Sequence, residues 1–122
     1  MEPRKILRKH ILLADDEPSV REALKLLLSV DQHTVTEVGD GVEAFDLLTR
    51  HPFDLVITDH EMPRMRGNEL AVKIKAVSPS QPIIMITAYP ECLGNAANPV
   101  DAILNKPFQF ENLRQAITKL LS

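Results

Sequence analysis

Short, solidly apolar runs recur along this chain, and each stops on a polar residue. Ile11-Leu12-Leu13-Ala14 runs into Asp15-Asp16, Leu55-Val56-Ile57-Thr58 into Asp59, Ile83-Ile84-Met85-Ile86 into Thr87, and Ala102-Ile103-Leu104-Asn105 into Lys106-Pro107. Runs of this length without strict alternation predict strands buried on both faces, as in parallel sheets. His33 to Val38 supplies a further strand.

Between the runs the period becomes helical. After Asp15-Asp16-Glu17, Pro18 suits a first helical turn, where its missing N–H removes no hydrogen bond. Val20, Leu24, Leu27 and Leu28 then form the expected buried stripe. Gly39-Asp40-Gly41 turns the chain into a second helix with Ala44, Phe45 and Leu48 inward. In the loop from His60 to Gly67, Pro63 and Gly67 forbid a regular helix, and Asn68 is the expected N-cap of a third helix, with Leu70, Ala71, Ile74 and Val77 inward. Pro90, Gly94, Asn95, Asn98 and Pro99 leave room for only a short or irregular fourth helix. The last helix runs from about Gln109 to Leu121, with Phe110, Leu113, Ile117 and Leu120 on one face.

Each strand-to-strand connection is long enough to cross over to a parallel neighbour. The chain therefore predicts an α/β fold with a doubly wound five-stranded parallel sheet, flavodoxin-like (βα)5, strand order 2-1-3-4-5. Its 122 residues make one domain, 1–122, with residues 1–9 as a basic N-terminal extension carrying Arg4, Lys5, Arg8 and Lys9.

Composition narrows the class. A net charge of −3 and few aromatics argue against direct nucleic-acid binding, and Cys92, the single cysteine, offers no disulfide framework or metal cluster. No apolar run approaches a membrane span and no signal-peptide core follows Met1, so a cytoplasmic protein with no membrane association is expected.

In an open α/β sheet, ligands bind outside the carboxyl ends of the strands. Asp15, Asp16 and Asp59 would meet there, and acids gathered this closely need a cation. A hard divalent ion with oxygen ligands is the simplest solution, with Mg²⁺ favoured and Mn²⁺ a substitute. With Thr87 and Lys106 at the same edge, the set suits holding a phosphoryl group: cation and lysine for charge, a hydroxyl to donate, a carboxylate as nucleophile.

These motifs, in this order on successive strand ends, resemble the receiver domain of two-component response regulators over essentially the whole chain. The resemblance rests on Leu13-Ala14-Asp15-Asp16-Glu17-Pro18, Asp59-His60-Glu61-Met62-Pro63 with Gly67 after it, Ile86-Thr87-Ala88 and Lys106-Pro107-Phe108. It implies that Asp59 is the phosphoacceptor, charged by a sensor histidine kinase, a phosphotransfer protein or a small acyl phosphate. By the same resemblance Asp16 is the direct Mg²⁺ ligand alongside Asp59, Asp15 acts through water, and the main-chain carbonyl of Glu61 completes the protein ligands. Thr87 corresponds to the switch hydroxyl and Lys106 to the pairing lysine. Glu61 and Tyr89 fall where the family tunes loss of the aspartyl phosphate. The implied protein is no enzyme beyond its own phosphorylation and dephosphorylation. It signals to a downstream protein target or to an output domain outside this sequence, and a phosphorylation-dependent dimer is one route.

The sequence departs from the family at Ile103, where most receivers carry an aromatic that rotates inward with the hydroxyl. Together with the 19 positions from Thr87 to Lys106, a spacing short for the family, this points to the fourth-helix segment as the carrier of the signal. Other readings stay open: a degenerate receiver acting as a phosphorylation-independent interaction module, and a phosphohydrolase of the haloacid dehalogenase type. The latter wants Asp where Glu61 stands and an acid pair after the lysine. A flavin carrier of similar topology would need a phosphate loop where Asp15-Asp16-Glu17 would repel phosphate. His60 is expected to be a solvent-facing loop residue, and His10, His33 and His51 have no partners at metal-ligand spacing. Whether the receiver stands alone or belongs to a longer regulator is left open.

Overall fold

A computed structural model describes residues 8–90 and 99–121. The strands are β1 (His10–Ala14), β2 (Thr34–Val38), β3 (Leu55–Asp59), β4 (Ile83–Thr87) and β5 (Ala102–Asn105). The described helices are α1 (Pro18–Val30), α2 (Gly41–Arg50), α3 (Gly67–Val77) and the C-terminal α4 (Phe110–Leu121). All strand pairings are parallel, in the order β2-β1-β3-β4-β5, as the sequence predicts. The short fourth helix expected after Thr87 falls largely on residues 91–98, outside the described residues, as do residues 1–7 of the N-terminal extension. Arg8 and Lys9 are described. Arg8 Nε donates to Gln32 Oε1, and the Lys9 N–H donates to His33 Nδ1.

Solid apolar strands give two cores. Ile11, Leu13, Leu55, Ile57, Ile84 and Ile86 face Leu24 and Leu28 of α1 and Leu113 and Ile117 of α4. The intervening residues Leu12, Ala14, Val56 and Ile83 face Ala44 of α2 and Leu70, Ala71 and Ile74 of α3. This period-2 division lets helices cover both faces of the sheet, and every residue of β3 and β4 is buried. β5 is an edge strand with alternating exposure. Arg114 of α4 clasps Asp31, just past α1, through Nε and Nη2 at 2.7 and 3.0 Å.

Several local expectations are corrected. Leu27 and Val77 are exposed rather than inward: Leu27 lies on the flank of the stripe that Leu24 and Leu28 centre, and Val77 ends α3. Helix α3 begins at Gly67, with Arg66 rather than Asn68 as N-cap; Glu69 Oε1 accepts from the Arg66 N–H at 3.1 Å, while Asn68 Oδ1 accepts only from its neighbour Glu69 N. Gly67 thus opens the helix instead of preventing it. A Cβ there would lie 2.6 Å from the carbonyl oxygen of Asp59 and 2.6 Å from Met85 Sδ, so only glycine lets α3 start this close to the end of β3. No described helix is long and apolar enough to cross a membrane.

Candidate phosphoryl-accepting site

The carboxyl ends of β1, β3, β4 and β5 deliver the predicted residues to one place. One carboxylate oxygen from each of Asp15, Asp16 and Asp59 lies within 4.8 Å of the others. Asp15 is buried just past β1, its Oδ1 accepting from the Glu17 N–H at 2.9 Å, while Asp16 is exposed. Asp59 closes β3 with only 3% of its surface exposed. Lys106 Nζ reaches Asp59 Oδ1 at 3.1 Å, yet that oxygen has no aligned hydrogen bond, so the contact is an ion pair rather than a directed bond. A second strut ties the lysine to Thr87: the Lys106 main-chain N–H donates to the Thr87 carbonyl at 2.8 Å.

The electrostatics follow from crowding. Burial, then the charge of Asp15, pushes the Asp59 carboxyl up from 3.8 to about 6, against the opposing pull of Lys106. Asp15 is also raised, chiefly by burial and partly offset by the Glu17 N–H. Burial disfavours the charged form of Lys106, but Asp59, with Asp15 and Glu61 behind it, reverses this, and the ammonium holds its proton more tightly than usual. Three carboxylates thus share one ammonium.

A buried carboxylate oxygen with no aligned hydrogen bond, beside two further acids, is the ligand set a hard cation uses. The residues present therefore fit Mg²⁺.

Around this centre the sequence is right about position but incomplete about contacts. The Thr87 hydroxyl donates to Glu61 Oε2 at 2.7 Å, and its oxygen accepts from the Tyr89 N–H at 3.0 Å. Tyr89, two residues past the end of β4, is 56% exposed, and Ile103, within the edge strand β5, 43%. His60 is buried, not solvent-facing: its N–H donates to the Ile86 carbonyl at 2.9 Å, continuing the β3–β4 ladder one residue past Asp59. Its Nδ1 has no hydrogen-bond partner, and burial lowers its pKa, favouring the neutral ring.

Two supports were not foreseen. Arg21 Nη1 donates to the Asp15 carbonyl at 2.8 Å while its Nε pairs with Glu37 at 3.2 Å, anchoring the acid-bearing loop to β2. The buried Thr58 hydroxyl donates to the Asp59 carbonyl at 2.9 Å. An arginine one turn into a helix carries no sequence signal for this role; Thr58 carries a faint one, a hydroxyl inside an otherwise aliphatic run.

A five-stranded parallel sheet with an acid triad, a threonine and a lysine at its carboxyl edge defines a receiver-like class of α/β domain. The model of the response regulator receiver domain matches residues 11–118, and the chain belongs to that family. It is 36% identical over 116 residues to the response regulator receiver protein CpdR of Brucella abortus, covering 93% of this chain and 97% of that one. It is 35% identical over 115 residues to the transcriptional regulatory protein GlrR of Escherichia coli, covering 92% of this chain but only 26% of that protein. The chain thus spans about a quarter of the length of that relative. Among solved structures, the response regulator TrrA of Thermotoga maritima in complex with Mg²⁺-BeF superposes with a TM-score of 0.88 at 35% identity, covering 93% of this chain and 99% of that one. TrrA in complex with the histidine kinase ThkA gives 0.86 at 36% identity, again covering 93% and 99%.

Proposed function

We propose that the chain is the phosphoacceptor receiver of a two-component phosphorelay, charged on Asp59 by a sensor histidine kinase or a phosphotransfer protein. The observation that carries this reading is Asp59 itself: nearly fully buried at a strand end, with one oxygen that is ion-paired with Lys106 but has no aligned hydrogen bond. The solved complex of TrrA with a histidine kinase supports a kinase partner.

In the transfer, an ionised oxygen of Asp59 attacks phosphorus and forms the acyl phosphate bond. The P–N bond of the phosphohistidine breaks, and its electron pair stays with the imidazole nitrogen. With an acyl phosphate as donor, the P–O bond breaks and the carboxylate leaves. Asp59 must be ionised to attack, and at pH 7 most of it is, given a pKa of about 6. Lys106 is placed to neutralise a phosphoryl oxygen, and the Thr87 hydroxyl to donate to another. Mg²⁺, held by Asp16, Asp59, the Glu61 carbonyl and, through water, Asp15, would supply the remaining neutralising charge when bound. The chain turns over no substrate other than its own phosphoryl group. It acts in the cytoplasm and passes the signal to a protein target or a linked output domain.

Intact mass after incubation with acetyl phosphate tests the reading. A single phosphoryl adduct is expected with Mg²⁺, none with chelator, and none on Asp59→Asn. No adduct on the folded native chain with Mg²⁺ from either acetyl phosphate or a phosphorylated histidine kinase, or an undiminished adduct on Asp59→Asn, refutes it.

A further inference from the structure

Two donors at the end of β4 are already engaged. The Thr87 hydroxyl donates to Glu61 Oε2 at 2.7 Å, and the Ala88 N–H reaches Glu61 Oε1 at 3.4 Å. Thr87 is buried, its oxygen also accepts from the Tyr89 N–H, and its single proton is committed to Glu61. An O–H donating to a carboxylate at this distance belongs to the short, charge-assisted class. A carboxylate that spans a hydroxyl and the following main-chain N–H presents two anionic oxygens, as a phosphoryl group does. Glu61 stands two residues past Asp59 and is partly exposed, so its side chain can swing out to water.

We infer that Glu61 is a built-in stand-in for the phosphoryl group, holding the Thr87 hydroxyl towards the β3 side of the pocket until a phosphoryl group displaces it. This rests on the phosphoacceptor reading and extends it to the gain of the phosphoryl group rather than its loss. Glu61 is a positioning residue: it acts through Thr87, and its carboxylate must let go before the hydroxyl can serve Asp59. Thr87 also travels less on activation than it would without Glu61, because Glu61 already draws its hydroxyl to the β3 side.

A charge effect alone would also make Glu61 slow the approach of an anionic donor, but that effect would not need the Thr87 hydroxyl. The test is a double-mutant cycle on the full chain with Glu61→Ala and Thr87→Val, the valine keeping the shape of threonine without its hydroxyl. Glu61→Ala leaves the main-chain carbonyl in place. Phosphorylation by acetyl phosphate with Mg²⁺ is timed, and the Thr87 methyl resonance is followed in the unmodified chain and with beryllofluoride as phosphoryl mimic.

Loss of the hold is expected to speed phosphorylation about tenfold in Glu61→Ala, the equivalent of one hydrogen bond to a charged group. Glu61→Gln, which retains an acceptor oxygen, is expected to fall between. In the Thr87→Val background the acceleration shrinks to less than about twofold. The Thr87 methyl resonance shifts in unmodified Glu61→Ala and moves further with beryllofluoride there than in the native chain. An acceleration undiminished by Thr87→Val, or a Thr87 methyl indifferent to Glu61→Ala, overturns the inference. If no variant is phosphorylated by acetyl phosphate or by a phosphorylated histidine kinase, the phosphoacceptor reading falls, while the methyl resonance of the unmodified chain still decides whether Glu61 holds Thr87.

Discussion

Asp59→Asn should make the cation-free protein more stable. The Asp59 carboxyl is raised from 3.8 to about 6, so the folded state binds its proton more tightly than the unfolded chain does. For a raised carboxyl the sign is adverse: stability is lost as pH climbs from about 4 to about 6, and the full penalty persists above that. A gap of about two pH units at ~1.36 kcal/mol each makes the penalty about 3 kcal/mol at pH 7.5. Asparagine has nearly the same shape and no charge, so it escapes this penalty and relieves Asp15. Against that, Lys106 loses its partner. Its side chain is 30% exposed, so water takes over much of the solvation, and a net gain of ~1–2 kcal/mol remains.

Urea denaturation of both proteins in chelator, at pH 7.5 and pH 4.5, measures this directly. The slopes should match, the midpoint of Asp59→Asn should be higher at pH 7.5, and the difference should close at pH 4.5. Saturating Mg²⁺ should reverse the order, because an ion at about 100 times its dissociation constant stabilises the native chain by about 2.7 kcal/mol and has fewer ligands in the variant. Equal stability at pH 7.5 in chelator, or a gap that ignores pH, would refute the claim that crowding of buried acids destabilises this edge.

Gly67→Ala forces a Cβ to within 2.6 Å of the Asp59 carbonyl oxygen and is expected to destabilise the fold by about 1–3 kcal/mol in urea melts, while also weakening Mg²⁺ binding because the end of β3 must move. Asp101 Oδ2 accepts from the Ile83 N–H at 2.8 Å and from Lys75 Nζ at 3.0 Å; Asp101→Ala should cost ~1–2 kcal/mol in the same assay, and a neutral result would mean water replaces both bonds. At Ile103, beryllofluoride should shift the side-chain methyl resonances, and Thr87→Val should leave most of that shift intact; a silent Ile103 would remove β5 from the signalling path.

The strand order and the site were readable because the fold places chemistry where buried aliphatic runs stop. Asp15, Asp59, Thr87 and Lys106 each follow such a run, and parallel pairing brings the ends together. The errors arose where tertiary contact overrides local pattern. His60 reads as a loop residue, but its N–H extends the ladder to Ile86 and takes the ring inside. Asn68 is the better N-cap by type, yet the Gly67 N–H donates to the His60 carbonyl at 3.0 Å and fixes the start of α3 earlier. Glu61 is legible as a charge near the pocket, whereas its bond to Thr87 joins residues 26 positions apart and needs the sheet to exist first.

The same contacts connect the site to the surface beside it. Lys106 bears on Asp59 through its side chain and on the Thr87 carbonyl through its N–H, so the two residues that would meet a phosphoryl group are coupled by backbone across β4 and β5. Ile103 lies three residues before Lys106 on β5, in register with Met85, and stands exposed. A pull on Lys106 would therefore reach an exposed side chain through one short strand, with no ring required to rotate. Conversely, the penalty of the acidic edge gives any added positive charge a large effect on that pull. The crowding expected to destabilise the cation-free fold is thus the reservoir on which a switch at this edge would draw.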